Sequence, residues 1–440
     1  MIKIKNANII TLDENRPFIK NANLIIQGNK IKKISTKGLD DEGLEYEVLD
    51  AKGKLLMPSF INTHMHIYSS FGRGMPSNNK ISNNFIDILE NVWWRLDKKL
   101  TLEAVKYSAF NTYLECIKNG VTTIFDHHAS PYNISGSLSK IANMSKLMGV
   151  RSCLCYEVSN RDGKDIALEG IKENINFMNE CDNNQNLIRG MFGLHASFTL
   201  DDELLNECAK AMQGRNEGYH VHVAEGIEDL KHSIKNYNKT VVERLNDFDI
   251  FKKNTLAVHC IHTNEKDLEL LKSKETNVIH NPQSNMGNAV GYSKVIDMIN
   301  KGIKVGLGTD GYTADMLESM KVSNIISKHE YKNSNIGFNE TLDMALKNNK
   351  FIASKYFDED FGIIKENALA DLIILDYKGT TEILDNNLGS HILFGLNGGL
   401  VDTTICNGEI LMKEKKLINI DEELYSKKSK EISKQIWSKL

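Results

Sequence analysis

SFINTHMH, residues 59–66, is a short β-prone run that ends in two histidines spaced two apart. Seven comparable runs follow: VTTIFDH (121–127), VRSCLCYE (150–157), IRGMFGLH (188–195), YHVHVAE (219–225), TLAVHC (255–260), TNVIHN (276–281) and IKVGLGTD (303–310). Between them lie segments such as 101–118 and 201–212, whose apolar residues recur at helical spacing and which are long enough for crossover helices. Eight such units predict an α/β fold with a closed (β/α)8 TIM barrel over 58–358. Outside it, KIKNANIIT, NLIIQGNKIKKIS, ADLIILDY and VDTTICNGEILM are β-rich and punctuated by Gly, Asn and Asp. They predict one small composite β-sandwich domain built from 1–57 plus 359–440. The largest barrel insertion, 67–100 after the first strand, is read as a functional loop.

Composition narrows the partners. Of the 440 residues 41% are hydrophobic and 25% charged, which excludes disordered, collagenous and membrane classes. With 54 basic and 58 acidic side chains there is no positive footprint for nucleic acid or an anionic membrane, so a small molecule is the expected partner. The lysine runs at 413–416 and 427–430 read as solvated surface charge. Seven cysteines occur with no C-x-x-C pair, and the start MIKIKNANIITLDEN lacks the apolar stretch of a secretory signal. Reduced thiols and a cytoplasmic location are expected.

The chemistry gathers at the C-terminal strand ends, where barrel active sites are built. Residues i and i+2 of a strand share a face, so His64 and His66 can aim into the barrel mouth and share a cation. His220 and His222 also share a face. His222 lies nearer the rim and is the better ligand, while His220 reads as a hydrogen-bonded core residue. Asp310 ends a strand of small and apolar residues, and its buried carboxylate calls for a partner or a metal. Three His and one Asp leave a position open for water, as in a catalytic site. Glu225, just past its strand, is placed to shuttle that water's proton, and His259 to hydrogen-bond the water. Trp93 and Trp94 are placed either to stack over a planar heterocycle or to anchor the insertion. Gly306, Gly308 and Gly311, with Glu330 beyond, also match a dinucleotide fingerprint, but after the last strand of the pattern and not the first.

MPSFINTHMH, HVHVAE, VHC, HNPQSN and GLGTDG, in that order, resemble the motifs of the amidohydrolase superfamily, in its cytosine deaminase, guanine deaminase and chlorohydrolase-like branch. WWRLDKKLT, FDHHASP, LHASFTL, HNPQSNMGNAVG and FGLNGGLVDTT are similar to the aminohydrolases called SsnA. Carried over, the resemblance implies metal ligands His64, His66, His222 and Asp310, with Glu225 as proton shuttle and His259 beside the hydrolytic water. It implies substrate contacts at His195 and, from the subfamily, at His127 and His128. The fourth strand holds no lysine to bridge a second ion, so one divalent metal per chain is expected, zinc first and iron as the alternative. Ser59 departs from the branch, which usually has Gly there. Relatives are often homodimers.

The expected activity is metal-dependent hydrolysis of a carbon–nitrogen bond in a purine-like heterocycle by a metal-activated water: deamination, with purine breakdown as the setting. Ring opening of a cyclic amide or ureide is the alternative at the same site. A dinucleotide-dependent oxidoreductase and a catalytically silent binding barrel are the readings from other classes.

Overall fold

The computed structural model describes residues 1–37, 45–77, 80–181 and 187–440. All eight expected barrel strands are present: Phe60–Met65, Val121–His128, Arg151–Tyr156, a fourth in two pieces, Tyr219–Val223, Leu256–His259, Asn277–His280 and Val305–Leu307. Neighbours pair in parallel around the ring. The fourth strand breaks at Met191, so that Ile188–Gly190 pairs with the third strand and Phe192–Ala196 with the fifth. Isolated parallel bridges, Met65 to Asp310 and Val158 to Leu194, close the two remaining seams.

The helix Leu102–Lys118 shows why the crossovers pack. Thr101 caps it by accepting the Ala104 N–H at 3.2 Å, and Val105, Ala109, Tyr113 and Cys116 recur at helical spacing on its buried face. The Tyr113 hydroxyl meets Ser152 Oγ at 2.9 Å, tying the helix to the third strand.

Both ends of the chain supply a nine-stranded, mostly antiparallel sheet. Its middle strand, Leu55–Pro58, lies parallel to Ile2–Ile10 and antiparallel to Leu372–Leu375. Ile4, Ile9, Leu24, Leu56, Leu372, Ile374 and Ile405 form a core of its own. A buried ion pair, Arg151 to Asp371, joins this sheet to the third barrel strand. The final helix, Glu422–Trp437, packs on the barrel helix Leu102–Lys118, with Tyr425 against Phe110 at 5.1 Å between ring centroids. Lys427, Lys428 and Lys430 point to solvent from it. All seven cysteines are buried and free. Among the described residues no helix is long and apolar enough to cross a membrane.

The insertion after the first strand is more ordered than a loop. A 3-10 turn, Ile67–Gly72, is followed by a helical stretch from Phe85 to Asp97 that widens into a π turn over Leu89–Trp93. Such turns add a residue to the helix and re-aim the side chains beyond it, and here both Trp93 and Trp94 line the barrel mouth. The glycines of the apparent dinucleotide fingerprint have packing reasons instead. A Cβ on Gly306 would stand 2.8 Å from Asn349 Oδ1 and from Ile352, and one on Gly308 would stand 2.4 Å from Asn281 Oδ1 and 2.9 Å from His64. They let the eighth strand close against the first.

Candidate metal centre

His64 and His66 leave the first strand, His222 the fifth, His259 the sixth and Asp310 the eighth, and their ligand atoms converge. His66 Nδ1 lies 2.6 Å from the His127 carbonyl and His222 Nδ1 lies 3.1 Å from that of His195. A carbonyl only accepts, so each Nδ1 carries the proton and each Nε2 presents a lone pair. Those two Nε2 atoms face each other at 3.3 Å. Asp310 Oδ1 lies 3.3 Å from His66 Nε2 and 3.8 Å from His64 Nε2. His64 Nδ1 is engaged with His220 Nε2 at 2.8 Å, and its Nε2 is buried without a hydrogen-bond partner. Converging lone pairs and a carboxylate leave one another unsatisfied, and a cation resolves the conflict. Separations of about 3–4 Å are those of ligands each about 2.0–2.2 Å from one ion. Burial, foremost, lowers the pKa of His64, His66 and His222 and keeps them neutral, the form that binds metal. The residues present fit a divalent cation.

Beside the ligands, His259 Nε2 lies 3.4 Å from Glu225 Oε2 and 3.6 Å from Asp310 Oδ2. His259 Nδ1 is fixed by Asn285 Oδ1 at 2.7 Å. Burial and the neighbouring Asp310 push the Glu225 carboxyl well above the usual range, against a hydrogen bond from Asn288. Burial also pushes Asp310 up, but His66 and His259 outweigh it and hold its carboxyl below the usual range. One shared environment thus sets two carboxyls apart, one disposed to carry a proton and one to stay ionised. Ala224, His259 and Asp310 all adopt left-handed backbone, with φ of 48°, 70° and 56°, a conformation that non-glycine residues adopt at a cost and that clusters at functional sites.

Above the cluster a cavity is lined by His66, His222, Glu225 and Asp310 on the side of the ligands and by Trp93, Trp94, Tyr68 and Phe85. Residues 55–411 match the amidohydrolase family. The chain belongs to that family. The amidohydrolase is 32% identical to a 5-methylthioadenosine/S-adenosylhomocysteine deaminase of Halothermothrix orenii, over 99% of each chain. It is 29% identical to a 5'-deoxyadenosine deaminase of Methanobrevibacter smithii, over 94% of this chain and 93% of that one. An adenosine deaminase from Xanthomonas campestris with bound zinc shares the fold at a TM-score of 0.84, 16% identity and coverage of 99% and 98%. The atrazine chlorohydrolase TrzN from Arthrobacter aurescens, complexed with zinc, does so at 0.82, 19% identity and coverage of 98% and 100%. The amidohydrolase is therefore a hydrolytic enzyme acting on carbon–nitrogen bonds, with a metal cofactor.

Other sequence expectations fall differently within the amidohydrolase. His195 and Trp93 line the cavity. His127 and His128, expected as substrate contacts, are fully buried and do not reach it. His127 Nε2 bonds to the Leu194 and His220 carbonyls at 3.1 and 3.0 Å, and His128 Nε2 to Ser130 Oγ at 3.0 Å. One ring nitrogen of each thus braces a strand end, while each Nδ1 is buried without a hydrogen-bond partner. His220 is the buried, hydrogen-bonded histidine expected. Glu157 was missed: it follows the third strand, lines the cavity and lies 3.3 Å from His127 Nδ1. The C-terminal strand-end rule that picked out Asp310 applies to it equally.

Asp229 holds the Glu225 turn. Its two oxygens accept the N–H groups of Phe198 at 2.9 Å and Ala224 at 3.1 Å. In Asp229→Asn one of those N–H groups would face an NH2, leaving a buried donor unsatisfied at about 1–3 kcal/mol. Urea denaturation is expected to show that loss. An unchanged midpoint would mean that the turn holds without it.

Proposed function

We propose that the protein deaminates an amino-substituted, purine-type heterocycle and holds one divalent ion per chain, zinc before iron, on His64, His66, His222 and Asp310. The observation that carries this is the joint placement of Glu225, His259 and Asp310 at the edge of the histidine cluster, with Glu225 and Asp310 lining the aromatic-walled cavity. The names of the full-length relatives, deaminases of adenosine derivatives, support it.

The ion supplies, when bound, a water whose pKa is lowered toward neutrality. Glu225 accepts that water's proton and delivers it to a ring nitrogen as the oxygen adds to the adjacent sp2 carbon. His259 and Asp310 orient the attacking oxygen. Asp310 passes the second proton to the departing amine, so one water is consumed, a carbonyl forms and ammonia leaves. Trp93 and Trp94 flank the ring plane and shut out bulk water.

The test is metal content of the purified protein together with ammonia release from aminopurines, aminopyrimidines and cyclic ureides. About one ion per chain and ammonia from an aminopurine are expected. Loss of ring absorbance without ammonia would replace deamination by ring opening. Inactivity of metal-loaded protein on every compound would overturn both.

A further inference from the structure

We infer that Arg161, which does not itself line the cavity, is the positioning residue for Trp94: with Asp97 it clasps the end of the insertion to the loop after the third strand and so sets one aromatic wall of the substrate site. The inference rests on the proposed function for what that wall meets, and adds the residue that holds the wall in place.

The clasp starts from a fixed point on the barrel. Residues 160–163 form a tight turn, closed by the Gly163 N–H on the Asn160 carbonyl at 3.0 Å, with Arg161 and Asp162 at its centre. The loop after the fourth strand pins it. The Asn160 N–H donates to the Thr199 carbonyl at 2.8 Å, and Asn160 Oδ1 accepts the Asp201 N–H at 2.8 Å. From this turn the Arg161 side chain, 7% exposed, pairs through Nη2 with Asp97, which is 1% exposed. Its Nε lies 3.4 Å from Asp162 Oδ2, and Asp162 Oδ1 in turn holds Lys98 Nζ at 2.8 Å. A planar guanidinium held at two of its nitrogens has little freedom to turn.

Trp94 and Asp97 lie three apart in one helical turn and share a face. The guanidinium that grips Asp97 therefore also covers Trp94, with its carbon 5.3 Å from the ring centre. Trp94 lines the cavity and stands 6.0 Å from the His195 ring and 6.5 Å from the Phe198 ring, centre to centre. Trp93 is seated differently. A Cβ on Gly72 would stand 3.0 Å from its ring, and Tyr68 meets it edge-on at 6.4 Å, both from the 3-10 turn that opens the insertion. Two tryptophans adjacent in sequence thus have separate supports. On the Asp97 side the clasp is a single charged contact, because Asp97 Oδ1 and Arg161 Nη1 have no hydrogen-bond partner. Loosening that contact moves Trp94 and leaves Trp93 where it is.

Arg161→Lys tests this, since lysine keeps a charge for Asp97 and loses the planar fork. Acrylamide quenching is measured with Trp94 as the sole tryptophan (Trp93→Phe, Trp437→Phe) and with Trp93 as the sole one (Trp94→Phe, Trp437→Phe). Burial raises the Asp97 carboxyl to about 6 against the pull of Arg161, so a buffer on the alkaline side of neutrality keeps the pair ionised. Arg161→Lys is expected to increase the quenching of Trp94 and not that of Trp93. In the metal-loaded chain with all its tryptophans, KM for ammonia release from adenosine or guanine, whichever is turned over, is expected to rise about 3- to 10-fold, the worth of one aromatic contact. Because Arg161 touches no reacting group, kcat is expected to change by less than about 2-fold. Asp97→Asn reaches the clasp from the insertion side and is expected to shift both readouts the same way, should the lysine variant fold poorly. Equal changes at both tryptophans would mean general loosening and overturn the inference, as would an unchanged Trp94 or an unmoved KM. If wild type releases ammonia from neither purine, deamination fails while the two quenching measurements still decide the clasp.

Discussion

Replacing Glu225 by glutamine is expected to lower kcat by roughly 10²–10⁴-fold, the usual worth of a positioned proton carrier, while metal content stays at the wild-type level. Glutamine fills the same space beside His259 and Asn288 but cannot take a proton from water and return it to a ring nitrogen. In the wild type, burial and Asp310 hold the carboxyl well above its ordinary range. The limb of the pH–rate profile that Glu225 governs should therefore lie above the usual carboxylate range and be absent from the variant's residual activity. Metal analysis and single-turnover rates check this. If the ion is lost with the activity, Glu225 is a ligand and the proton shuttle must be sought elsewhere.

Asp371→Ala is expected to destabilise the protein by about 3–5 kcal/mol, because it leaves the Arg151 guanidinium buried without its counter-charge. Both side chains are 1% exposed. Arg151 keeps only Thr123 Oγ1 at 3.1 Å and the faces of Phe357 and Phe361, and the Asn407 N–H, which reaches Asp371 Oδ1 at 2.6 Å, loses its acceptor too. Urea denaturation measures the loss. Arg151→Met combined with Asp371→Leu is expected to recover most of it, since an apolar pair removes both charges at once. A double variant no better than the single one would show that the residues act separately.

The barrel was legible because each strand combines an apolar run with chemistry at its C-terminal end, both of them local patterns. His64, His66, His222, His259 and Asp310 could be placed by period and position alone, and the structure brings them together. What escaped depends on contacts far apart in sequence. Neither tryptophan's direction could be read, because it follows from a π turn at Leu89–Trp93 that no residue spacing announces. His127 and His128 stand at a strand end like the ligands, yet His127 Nε2 is claimed by carbonyls of the fourth and fifth strands and His128 Nε2 by the nearby Ser130 hydroxyl. Glu157 lacked a histidine beside it in sequence, and its partners His127 and His195 come from the neighbouring second and fourth strands. The break at Met191 is likewise a change of pairing partner rather than a change of residue character.

The pairing of Leu55–Pro58 with Leu372–Leu375 bears on how the chain comes into being. On a ribosome adding roughly 5–20 residues per second, the second strand emerges about half a minute after the first. Until then the apolar strands at the start of the chain have an unpaired edge and half a core, which makes them a target for self-association. The nascent chain is accordingly expected to need a chaperone over that interval, and the finished barrel to form before its own first fifty residues have found their place.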